Sequence, residues 1–308
     1  MGYAKGQVKP FIKWVGGKTQ LISSIEKAIP SELYHVSNLT YVEPFVGGGA
    51  MLFWALSNLN NIQKAVINDI NKDLTTAYKT VRDEVDTLVK DLKQIEKEYK
   101  ALPSEESRKE YYMIKRALFN TKQLESVENT ALFIFLNRTC FNGLYRVNSR
   151  GLFNVPFGKY ANPTICDERT LFSDSELLQK VEILTGDFAQ TLDYANENAF
   201  FYLDPPYKPI SATSSFTAYA KDTFNDDEQI RLKEFCDTLD TNECFWILSN
   251  SDVKSLDPTN DFFDDLYAQY KINRVLASRS INANAEKRGK LKELLISNYH
   301  NEKAMPIA

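Results

Sequence analysis

Cysteine and histidine are scarce in this sequence, and their scarcity excludes several classes of protein. Among 308 residues there are four cysteines and two histidines. No two cysteines have C-x-x-C spacing, so the chain indicates neither a zinc site nor a disulfide framework. The two histidines are isolated from each other. We therefore predict reduced thiols, a cytoplasmic location and no bound metal.

Long apolar runs are absent as well. The first residues lack the stretch of about 7–15 apolar residues that a signal peptide needs. No run approaches the roughly 18 residues of a membrane helix. A Walker loop and a cluster of metal ligands are also missing, which argues against a helicase or a nuclease. A length of 308 residues predicts one or two domains, and an apolar content of 43% is enough for a real core. The lack of a long apolar run predicts no membrane partner.

The chain has no basic total charge, but its charges are unevenly distributed. The net charge is −4. Residues 1–18 and 137–160 each carry four positive charges and no acid, and residues 271–293 carry a net +5, which leaves −17 for the rest. Phosphate contacts need local positive charge rather than a basic total. The three segments are therefore compatible with a nucleic-acid partner, and solvated loops are the alternative.

The patterning predicts an α/β chain. Residues 11–80 indicate a glycine loop followed by alternating helices and strands, one half of a doubly wound sheet. Residues 81–136 are charged and helical, with a helix start predicted after Pro103 and another helix over about 129–135. Residues 141–160 predict a loop and a hairpin with its turn near Gly151. Further strands are predicted at 181–184, 199–203, 245–248, about 269–276 and about 292–299.

The tetrapeptide Asp204-Pro205-Pro206-Tyr207 follows the apolar run 200–203, which predicts a buried strand that ends at an acid. Two prolines fix φ and remove two backbone donors. The Asp204 carboxylate and nearby carbonyl groups then form a cluster of acceptors beside the Tyr207 ring. Such a cluster suits the amino group of a planar base, because acceptors that hold both N–H bonds localise its lone pair. The alternative is an ordinary strand exit with a capping acid.

Glycines and acids recur where an α/β sheet binds ligands. Residues 41–56 predict a strand, a glycine turn at 47–49 and a helix, and glycine lets the backbone approach a ligand closely. The spacing is not G-x-G-x-x-G, so a nicotinamide cofactor is not indicated. A second glycine pair lies between Lys13 and Lys18. Asp69 ends an apolar run, where a carboxylate commonly binds ribose hydroxyls. The alternative for the glycines is a tight turn without a ligand, and the alternative for Asp69 is a helix cap.

Eight sequence blocks cover nearly the whole chain in one order. They are KWVGGK at 13–18, EPFVGGGA at 43–50, IND at 67–69, FNGLYRVN at 141–148, FNVPFGKY at 153–160, GDF at 186–188, DPPY at 204–207 and LSNS at 248–251. Together they resemble the Dam-like DNA adenine N6-methyltransferases. Their order, with the cofactor motif first, then an insert and then DPPY, resembles the alpha group of amino-methyltransferases.

The resemblance implies a fold and a domain division. We expect an α/β protein with a Rossmann-like methyltransferase sheet that is mostly parallel and has an antiparallel last strand. A discontinuous catalytic domain is predicted at residues 1–80 and 162–308. A target-recognition domain of helices and a β-hairpin is predicted as an insert at residues 81–161.

The resemblance also implies S-adenosylmethionine as the methyl donor. Besides Asp204, its matching positions predict these cofactor-binding residues: Trp14, Lys18, Glu43, Phe45, Gly47, Asp69, Asp187 and Phe188. Residues 43–47 should surround the methionine end, Asp69 should hold the ribose, and Asp187 and Phe188 should meet the cofactor's adenine. For Trp14 and Phe188, packing in the core is the alternative.

Direct methyl transfer to a flipped adenine is the implied mechanism. Asp204 should accept one N6–H bond and the Pro205 carbonyl the other, while Tyr207 stacks on the ring and Pro206 completes the turn. The amine attacks the sulfonium methyl group in line, without a covalent enzyme intermediate. Positioning supplies much of the rate.

Residues 141–160 should read the DNA sequence. Arg146 suits O6 and N7 of a guanine, Leu144 and Pro156 suit a thymine methyl group, and Phe141 suits a wedge beside the flipped base. The other predicted DNA-binding residues are polar or basic: Lys13, Arg138, Asn142, Asn148, Lys159 and Tyr160. In the family this pattern accompanies the palindrome GATC, so we predict double-stranded GATC sites as the substrate.

Three alternatives remain beside this interpretation. An N4-cytosine methyltransferase uses the same chemistry, although it more often has Ser before Pro-Pro-Tyr, and a protein glutamine methyltransferase more often has Asn there. The third is a DNA-binding homologue without activity, which the intact glycine loop, Asp69 and Asp204 argue against. Recognition by a single hairpin predicts a monomer. The sequence leaves open a cognate restriction endonuclease and the role of residues 209–224.

Overall fold

The computed structural model describes residues 9–14, 16, 21–208, 224–255, 257–278 and 290–299. Lys18 and nearly all of the segment 209–224 lie outside the described residues, so the predictions made for them stay predictions.

The described strands form one sheet of seven. The strands are β1 Leu39–Glu43, β2 Ile62–Asp69, β3 Val181–Thr185, β4 Ala199–Leu203, β5 Phe245–Ser251, β6 Lys271–Ser278 and β7 Lys290–Ser297. Their order is β3-β2-β1-β4-β5-β7-β6. β1 is parallel to β2 and β4, and β4 is parallel to β5. Because β7 is antiparallel to both β5 and β6, the prediction of a mostly parallel α/β sheet with an antiparallel last strand is confirmed.

Nine α-helices lie within the described residues. They are α1 Ile22–Ala28, α2 Ala50–Asn58, α3 Lys72–Asp83, α4 Val85–Ala101, α5 Glu105–Phe119, α6 Ser126–Thr139, α7 Glu168–Leu178, α8 Asp226–Thr241 and α9 Phe262–Leu266. The expected start of a helix after Pro103 is confirmed, since Ser104 caps α5 and exchanges hydrogen bonds with Ser107. Short 3-10 turns occupy Ser31–Tyr34, Phe141–Gly143, Phe188–Tyr194 and Val253–Ser255.

The chain divides into two compact units. The first unit comprises residues 1–17, 47–57 and 69–186, and the second comprises residues 18–46, 58–68 and 187–308. The predicted division into a catalytic domain and an inserted recognition domain concerns function, and it stays a prediction.

The core of the first unit is centred on α6. Residues 130–137 of this helix are buried on every side, so the helix has no exposed face over two turns. Tyr99 from α4 and Tyr112 from α5 pack their rings against Phe135, with centroids 5.7 and 6.3 Å apart. Burying three aromatic rings is the main apolar contribution at this point.

The loop that follows α6 differs from the predicted hairpin. Antiparallel pairing is limited to two isolated bridges, Cys140 with Phe157 and Val147 with Phe153. The reason is local, because Asn148 accepts backbone N–H bonds inside the turn, from Arg150 at 2.9 Å and Leu152 at 3.1 Å. Side-chain acceptors of this kind replace the regular ladder of a hairpin.

The core of the second unit lies on its central strands. Every residue of β4 is buried, as are all but the first residue of β5. α8 packs on β5, and its Phe235 ring also contacts Phe201 of β4, with centroids 6.1 Å apart. A strand buried on both faces is the ordinary state of a parallel sheet covered by helices.

Candidate active site

One face of the sheet in the second unit carries a row of buried polar groups. Tyr41 is paired with Phe200, and Tyr202 is paired with Ile247. Side chains alternate between faces along a strand, so Glu43, Tyr202 and Ser249 point to the same face. Ser251 is paired with Glu293 of β7, which extends the row. These six polar side chains are all nearly inaccessible to solvent: Tyr41, Glu43, Tyr202, Ser249, Ser251 and Glu293.

Asp204 follows β4 directly and is oriented from this row. Ser249 donates from Oγ to Oδ1 of Asp204 at 3.0 Å. The Tyr202 hydroxyl oxygen lies 3.3 Å from the same Ser249 oxygen. Burial raises the pKa of Tyr202 well above its usual value, and the charge of Asp204 raises it further. Asp204 is thus a half-buried acceptor whose rotamer is fixed by a neutral donor.

The backbone after Asp204 is held by the LSNS segment and by α8. Gln229 donates to the Pro206 carbonyl at 3.2 Å. The Asn250 side chain accepts the N–H of Lys208 at 3.3 Å, and Ser251 donates to the Lys208 carbonyl at 2.7 Å. Asn250 in turn donates to Gln229 at 3.1 Å. The sequence predicted no role for the residues of the LSNS block, although the block itself was recognised. It gave no indication that Gln229 belongs to the site.

Tyr207 is held at the far end of its ring. Its hydroxyl donates to Oε2 of Glu293 at 2.8 Å, and the residue is half-buried. Burial raises the pKa of Tyr207 well above its usual value, and the charges of Asp204 and Glu293 act in the same direction. The side chain is therefore a neutral phenol that donates a hydrogen bond to a carboxylate.

Glu43 is one of the few buried carboxylates of the second unit. Only 2% of its surface is exposed, and the Tyr41 hydroxyl donates to its Oε2 at 2.8 Å. Burial raises the pKa of Tyr41, and the charge of Glu43 raises it further. A buried acid near the end of β1 is a suitable acceptor for a ligand's ammonium group.

Phe45 and Phe188 meet in an aromatic cluster of the second unit. Their ring centroids are 5.1 Å apart, and Phe188 also packs edge-on to Phe235 at 5.3 Å. The guanidinium of Arg231 lies 4.1 Å from the Phe188 centroid. Because Phe188 is only 4% exposed, core packing explains most of its contacts. Its predicted contact with the adenine of the cofactor stays a prediction.

Asp187 is exposed and paired with Arg231, a residue that sequence reasoning missed. Two nitrogen atoms of Arg231 donate to the two carboxylate oxygens of Asp187 at 2.9 and 2.7 Å. Oδ1 of Asp187 also accepts the N–H of Ala189 at 2.9 Å. The hydrogen bonds from Arg231 lower the pKa of Asp187, so this group is a carboxylate at neutral pH.

In the first unit, Asp69 closes the glycine turn. Its Oδ2 accepts the N–H of Gly47 at 3.1 Å, and its Oδ1 accepts the N–H of Asn71 at 2.9 Å. Gly47 has a φ of +48°, in the region that favours glycine. Burial raises the pKa of Asp69, although both N–H bonds act against that shift. Each oxygen keeps a further lone pair, so the carboxylate can accept hydroxyl hydrogens as well.

Trp14 packs directly on the glycine turn of the same unit. A Cβ atom at Gly48 would lie 2.6 Å from Cβ of Trp14, so only glycine fits there. The indole also stacks on Tyr145, with centroids 5.6 Å apart and an angle of 22° between the rings. Tyr145 donates to Asp73 at 2.9 Å. The half-buried indole is therefore held between the glycine turn and the Tyr145 ring.

Two predicted DNA-binding residues, Lys13 and Tyr160, lie together in the first unit. Nζ of Lys13 is 5.5 Å from the centre of the Tyr160 ring. Asn137 of α6 donates to the carbonyls of Lys13 and Gly143 at 2.8 and 3.0 Å and accepts the N–H of Lys13 at 2.9 Å. Asn137 was not predicted, because its sequence context is an apolar helix.

Arg146 is exposed and oriented by Asn154. Its Nε donates to the side-chain oxygen of Asn154 at 2.7 Å, and its Nη2 contacts the Asn154 carbonyl at 3.3 Å. Asn154 belongs to the FNVPFGKY block but was not assigned. Asn148, which was predicted to face DNA, stabilises the turn through its side-chain oxygen.

The apolar residues predicted to meet DNA are near one another. The N–H of Phe141 donates to the Pro156 carbonyl at 2.9 Å. Phe141 is 49% exposed, Pro156 is exposed and Leu144 is half-buried. Asn142, also exposed, has a φ of +55°, which asparagine tolerates better than most residues.

Two basic residues of the prediction differ in accessibility. Lys159 is exposed, and its Nζ lies 3.0 Å from a Glu105 carboxylate oxygen, a weak surface pair. Arg138 is half-buried and donates to the Phe11 carbonyl at 2.7 Å. Burial lowers the pKa of Arg138. This geometry supports a role for Arg138 in holding the N-terminal segment and gives no support to its predicted phosphate contact.

Within the described residues, no group of three or more His, Cys, Asp or Glu side chains could hold a metal ion. No helix in the described part of the chain is long and apolar enough to cross a membrane.

The chain belongs to the family of D12 class N6 adenine-specific DNA methyltransferases, whose model matches residues 14–281. The resemblance seen in the sequence is therefore confirmed, and the protein is an adenine-specific DNA methyltransferase.

Individual relatives match over nearly their full lengths. Type II methyltransferase M.MjaIII of Methanocaldococcus jannaschii is 48% identical over 296 residues, which cover 95% of this chain and 100% of that protein. Type II methyltransferase M1.LlaDCHI of Lactococcus lactis is 37% identical over 302 residues, 96% of this chain and 98% of that protein. The DNA adenine methylase of Escherichia coli K12 is 32% identical over 288 residues, 93% of this chain and 94% of that protein.

Proposed function

We propose that this enzyme transfers a methyl group from S-adenosylmethionine to N6 of the adenine in GATC sites of double-stranded DNA, after flipping that adenine out of the helix. The observation that carries the proposal is the Asp204 carboxylate, half-buried at the end of β4 and oriented by the Ser249 hydroxyl at 3.0 Å. Two prolines and Tyr207 follow it directly. The relatives named DNA adenine methylase support adenine as the target base, and the pattern of residues 141–160, which resembles that of the Dam-like enzymes, makes GATC the expected site.

The donor set fits S-adenosylmethionine. Glu43 offers a buried carboxylate to the ammonium group of the donor, and Asp69 offers two oxygens with spare lone pairs to the ribose hydroxyls. The turn at Gly47 and Gly48 leaves no room for a side chain beside Trp14, so the indole and the turn fix each other's position. When bound, S-adenosylmethionine supplies an electrophilic methyl group on a sulfonium. Asp187, Phe188, Phe45 and Lys18 complete the proposed set.

The chain's own residues contribute to the reaction by positioning the target adenine. Asp204 accepts one N6–H bond of the flipped adenine, and the Pro205 carbonyl accepts the other. Their negative partial charges draw the lone pair out of the ring and stabilise the positive charge that grows on N6 during attack. Tyr207 stacks on the base. No general acid is needed, because the sulfide that leaves as the N6–C bond forms is neutral. The proton that the methylated N6 must lose passes to solvent.

Sequence reading is proposed for the loop of residues 141–160. Arg146, held by Asn154 at 2.7 Å, presents its remaining guanidinium N–H groups to the first guanine of GATC. Leu144 and Pro156 meet the thymine methyl group, and exposed Phe141 fills the place of the flipped base. Lys13, Tyr160, Asn142 and Lys159 are proposed to contact the DNA nearby.

The test combines Asp204→Ala with radiolabelled donor and a duplex that contains one GATC site. We expect methyl transfer to fall by about 10³-fold or more, because a preorganised acceptor is lost, while DNA binding stays within a few fold. Asp227→Ala, an exposed acid in the first turn of α8, should leave both unchanged. Retained transfer in Asp204→Ala would refute the assignment. Label on cytosine would favour the N4-cytosine alternative.

The proposal also covers the setting of the enzyme. We infer that it acts as a monomer on duplex DNA in the cytoplasm. Its relatives named type II methyltransferases make a cognate restriction endonuclease a reasonable functional partner.

A further inference from the structure

A carboxylate that lies outside the DPPY motif contacts the motif's tyrosine. Glu293 lies on the antiparallel strand β7, 86 residues after Tyr207, and its Oε2 accepts the Tyr207 hydroxyl at 2.8 Å. Glu293 is paired with Ser251 of β5, and Ser251 holds the carbonyl of Lys208 at 2.7 Å. Two paired residues on neighbouring strands therefore hold this segment: Glu293 holds the tyrosine ring, and Ser251 holds the backbone that follows it.

This acid occupies a buried position next to an apolar run of its strand. Glu293 is only 7% exposed, and the next three residues of β7 are buried and apolar. A buried carboxylate is generally no more stabilising than an apolar residue of similar volume. Packing alone would be satisfied by another leucine, so the acid needs an explanation in function.

We propose that Glu293 is a positioning residue for methyl transfer, which holds the Tyr207 hydroxyl and thereby fixes the plane of the ring on which the target adenine stacks. The inference rests on the proposed function. A tyrosine anchored only at Cα can rotate about both side-chain torsions. A hydrogen bond at the hydroxyl fixes the opposite end of the ring, and small misplacements of a reacting base slow the reaction steeply.

Four variants test this role: Glu293→Ala, Glu293→Gln, Tyr207→Phe and the double variant Tyr207→Phe with Glu293→Ala. We expect Glu293→Ala and Tyr207→Phe each to lower kcat about tenfold, as expected for a lost hydrogen bond to a charged group. KM for DNA should stay within about twofold. Glu293→Gln should retain most of the rate, because its amide oxygen accepts the same bond. The losses of the two single variants should not add in the double variant, since both single variants remove the same hydrogen bond.

A matched control lies on the same unit. Tyr270 donates a hydrogen bond to Asp237 at 2.7 Å and so forms another tyrosine–carboxylate pair. Tyr270 lies just before β6 begins, at the opposite end of the strands from Tyr207. Tyr270→Phe should leave kcat unchanged. A spectroscopic readout supplements the rates: with 2-aminopurine at the target position, Glu293→Ala should give brighter fluorescence than the wild type, because the flipped base stacks less firmly.

Any of three results would overturn the inference: a wild-type rate in Glu293→Ala, additive losses in the double variant, or a Glu293→Gln enzyme as slow as Glu293→Ala. Glu293→Gln and Tyr207→Phe keep the test valid if Glu293→Ala does not fold. Failure of the proposed function has a different signature, namely a wild-type enzyme that does not methylate adenine. In that case the hydrogen bond between Tyr207 and Glu293 can be tested without DNA. The ¹⁹F chemical shift of fluorotyrosine at position 207 should change in Glu293→Ala.

Discussion

Ser249 and Asp204 form the contact on which the account of catalysis depends, a hydrogen bond of 3.0 Å from the serine hydroxyl to the aspartate carboxylate. It joins the LSNS block to the DPPY block and fixes the carboxylate that is proposed to accept the substrate amine. A carboxylate fixed in this way needs no reorganisation when the base arrives.

Ser249→Ala should therefore slow the reaction without weakening binding. We expect kcat to fall about three- to tenfold, the equivalent of about 1 kcal/mol for one hydrogen bond, with the dissociation constants of donor and DNA unchanged. Single-turnover kinetics and binding titrations measure the two quantities separately. Ser297→Ala is the control, because Ser297 is also buried but lies at the other end of β7 from Glu293. An equal loss in both variants would mean that Ser249 acts only on stability.

Gly48→Ala should reduce affinity for S-adenosylmethionine. The new methyl group would lie 2.6 Å from Cβ of Trp14, so the turn or the indole must move. Overpacking of this kind costs about 1–3 kcal/mol, and we expect at least tenfold weaker donor binding by calorimetry. Gly151→Ala is the comparison: its φ of +72° makes alanine strained, but nothing lies within 4 Å of the new methyl group. Unchanged donor affinity in Gly48→Ala would contradict a role for this turn.

Arg146→Ala should relax discrimination at the first guanine of the target. One bidentate arginine–guanine contact is worth about 1–3 kcal/mol of discrimination. The measurement is the ratio of kcat/KM on GATC to that on duplexes altered at the first position. Arg150→Ala removes an exposed arginine of the same loop and should change overall DNA affinity more than the ratio. A ratio that survives Arg146→Ala would move recognition to another residue.

Asp174 on α7 should make the stability of the enzyme depend on pH. The residue is completely buried, and neither of its oxygens has a hydrogen-bond partner among the described residues. Burial raises its pKa well above the usual 3.8, while the nearby Phe11 N–H and Lys9 act weakly against that shift. A raised pKa in the folded state means that the folded protein holds the proton more tightly than the unfolded chain does. The associated stability is present below pH 3.8 and is lost as the pH rises towards the folded-state pKa.

Asp174→Asn should accordingly be more stable than the wild type at pH 7, by about 1 kcal/mol or more. Its advantage should shrink as the pH falls towards 4. Urea unfolding across this range, with exposed Asp193→Asn as the reference, measures the difference. A constant difference between Asp174→Asn and wild type at every pH would show that Asp174 does not titrate in this range.

Most of the fold was predictable because its elements are marked locally. β4 is a run of five buried residues that ends at an acid and two prolines, and β1 leads directly into the glycines of the turn. The late strands were each misplaced by about two residues. β6 was predicted too early and β7 too late, since β6 is Lys271–Ser278 and β7 is Lys290–Ser297. α6 was predicted only over its central residues, because a helix buried on all sides has no amphipathic period to mark its ends.

The site residues that were not predicted from the sequence are brought to the site by contacts between distant segments. Glu293 and Gln229 reach the DPPY segment from β7 and α8, and neither carries a motif of its own. Asn154 was overlooked because it is near Arg146 only after the loop folds back. Asn148 was predicted to contact DNA because an asparagine side chain can bind the edge of a base. The same side chain can also accept hydrogen bonds within a turn, as it does here. Sequence alone does not decide between those uses.

The most direct test of the central claim is base-resolved sequencing of unmethylated plasmid after incubation with the wild-type enzyme and S-adenosylmethionine. We expect N6-methyladenine at GATC sites and at no other sequence. N6-methyladenine in a different sequence would contradict the assignment of residues 141–160, and a plasmid without any methylated adenine would contradict the account of the active site itself.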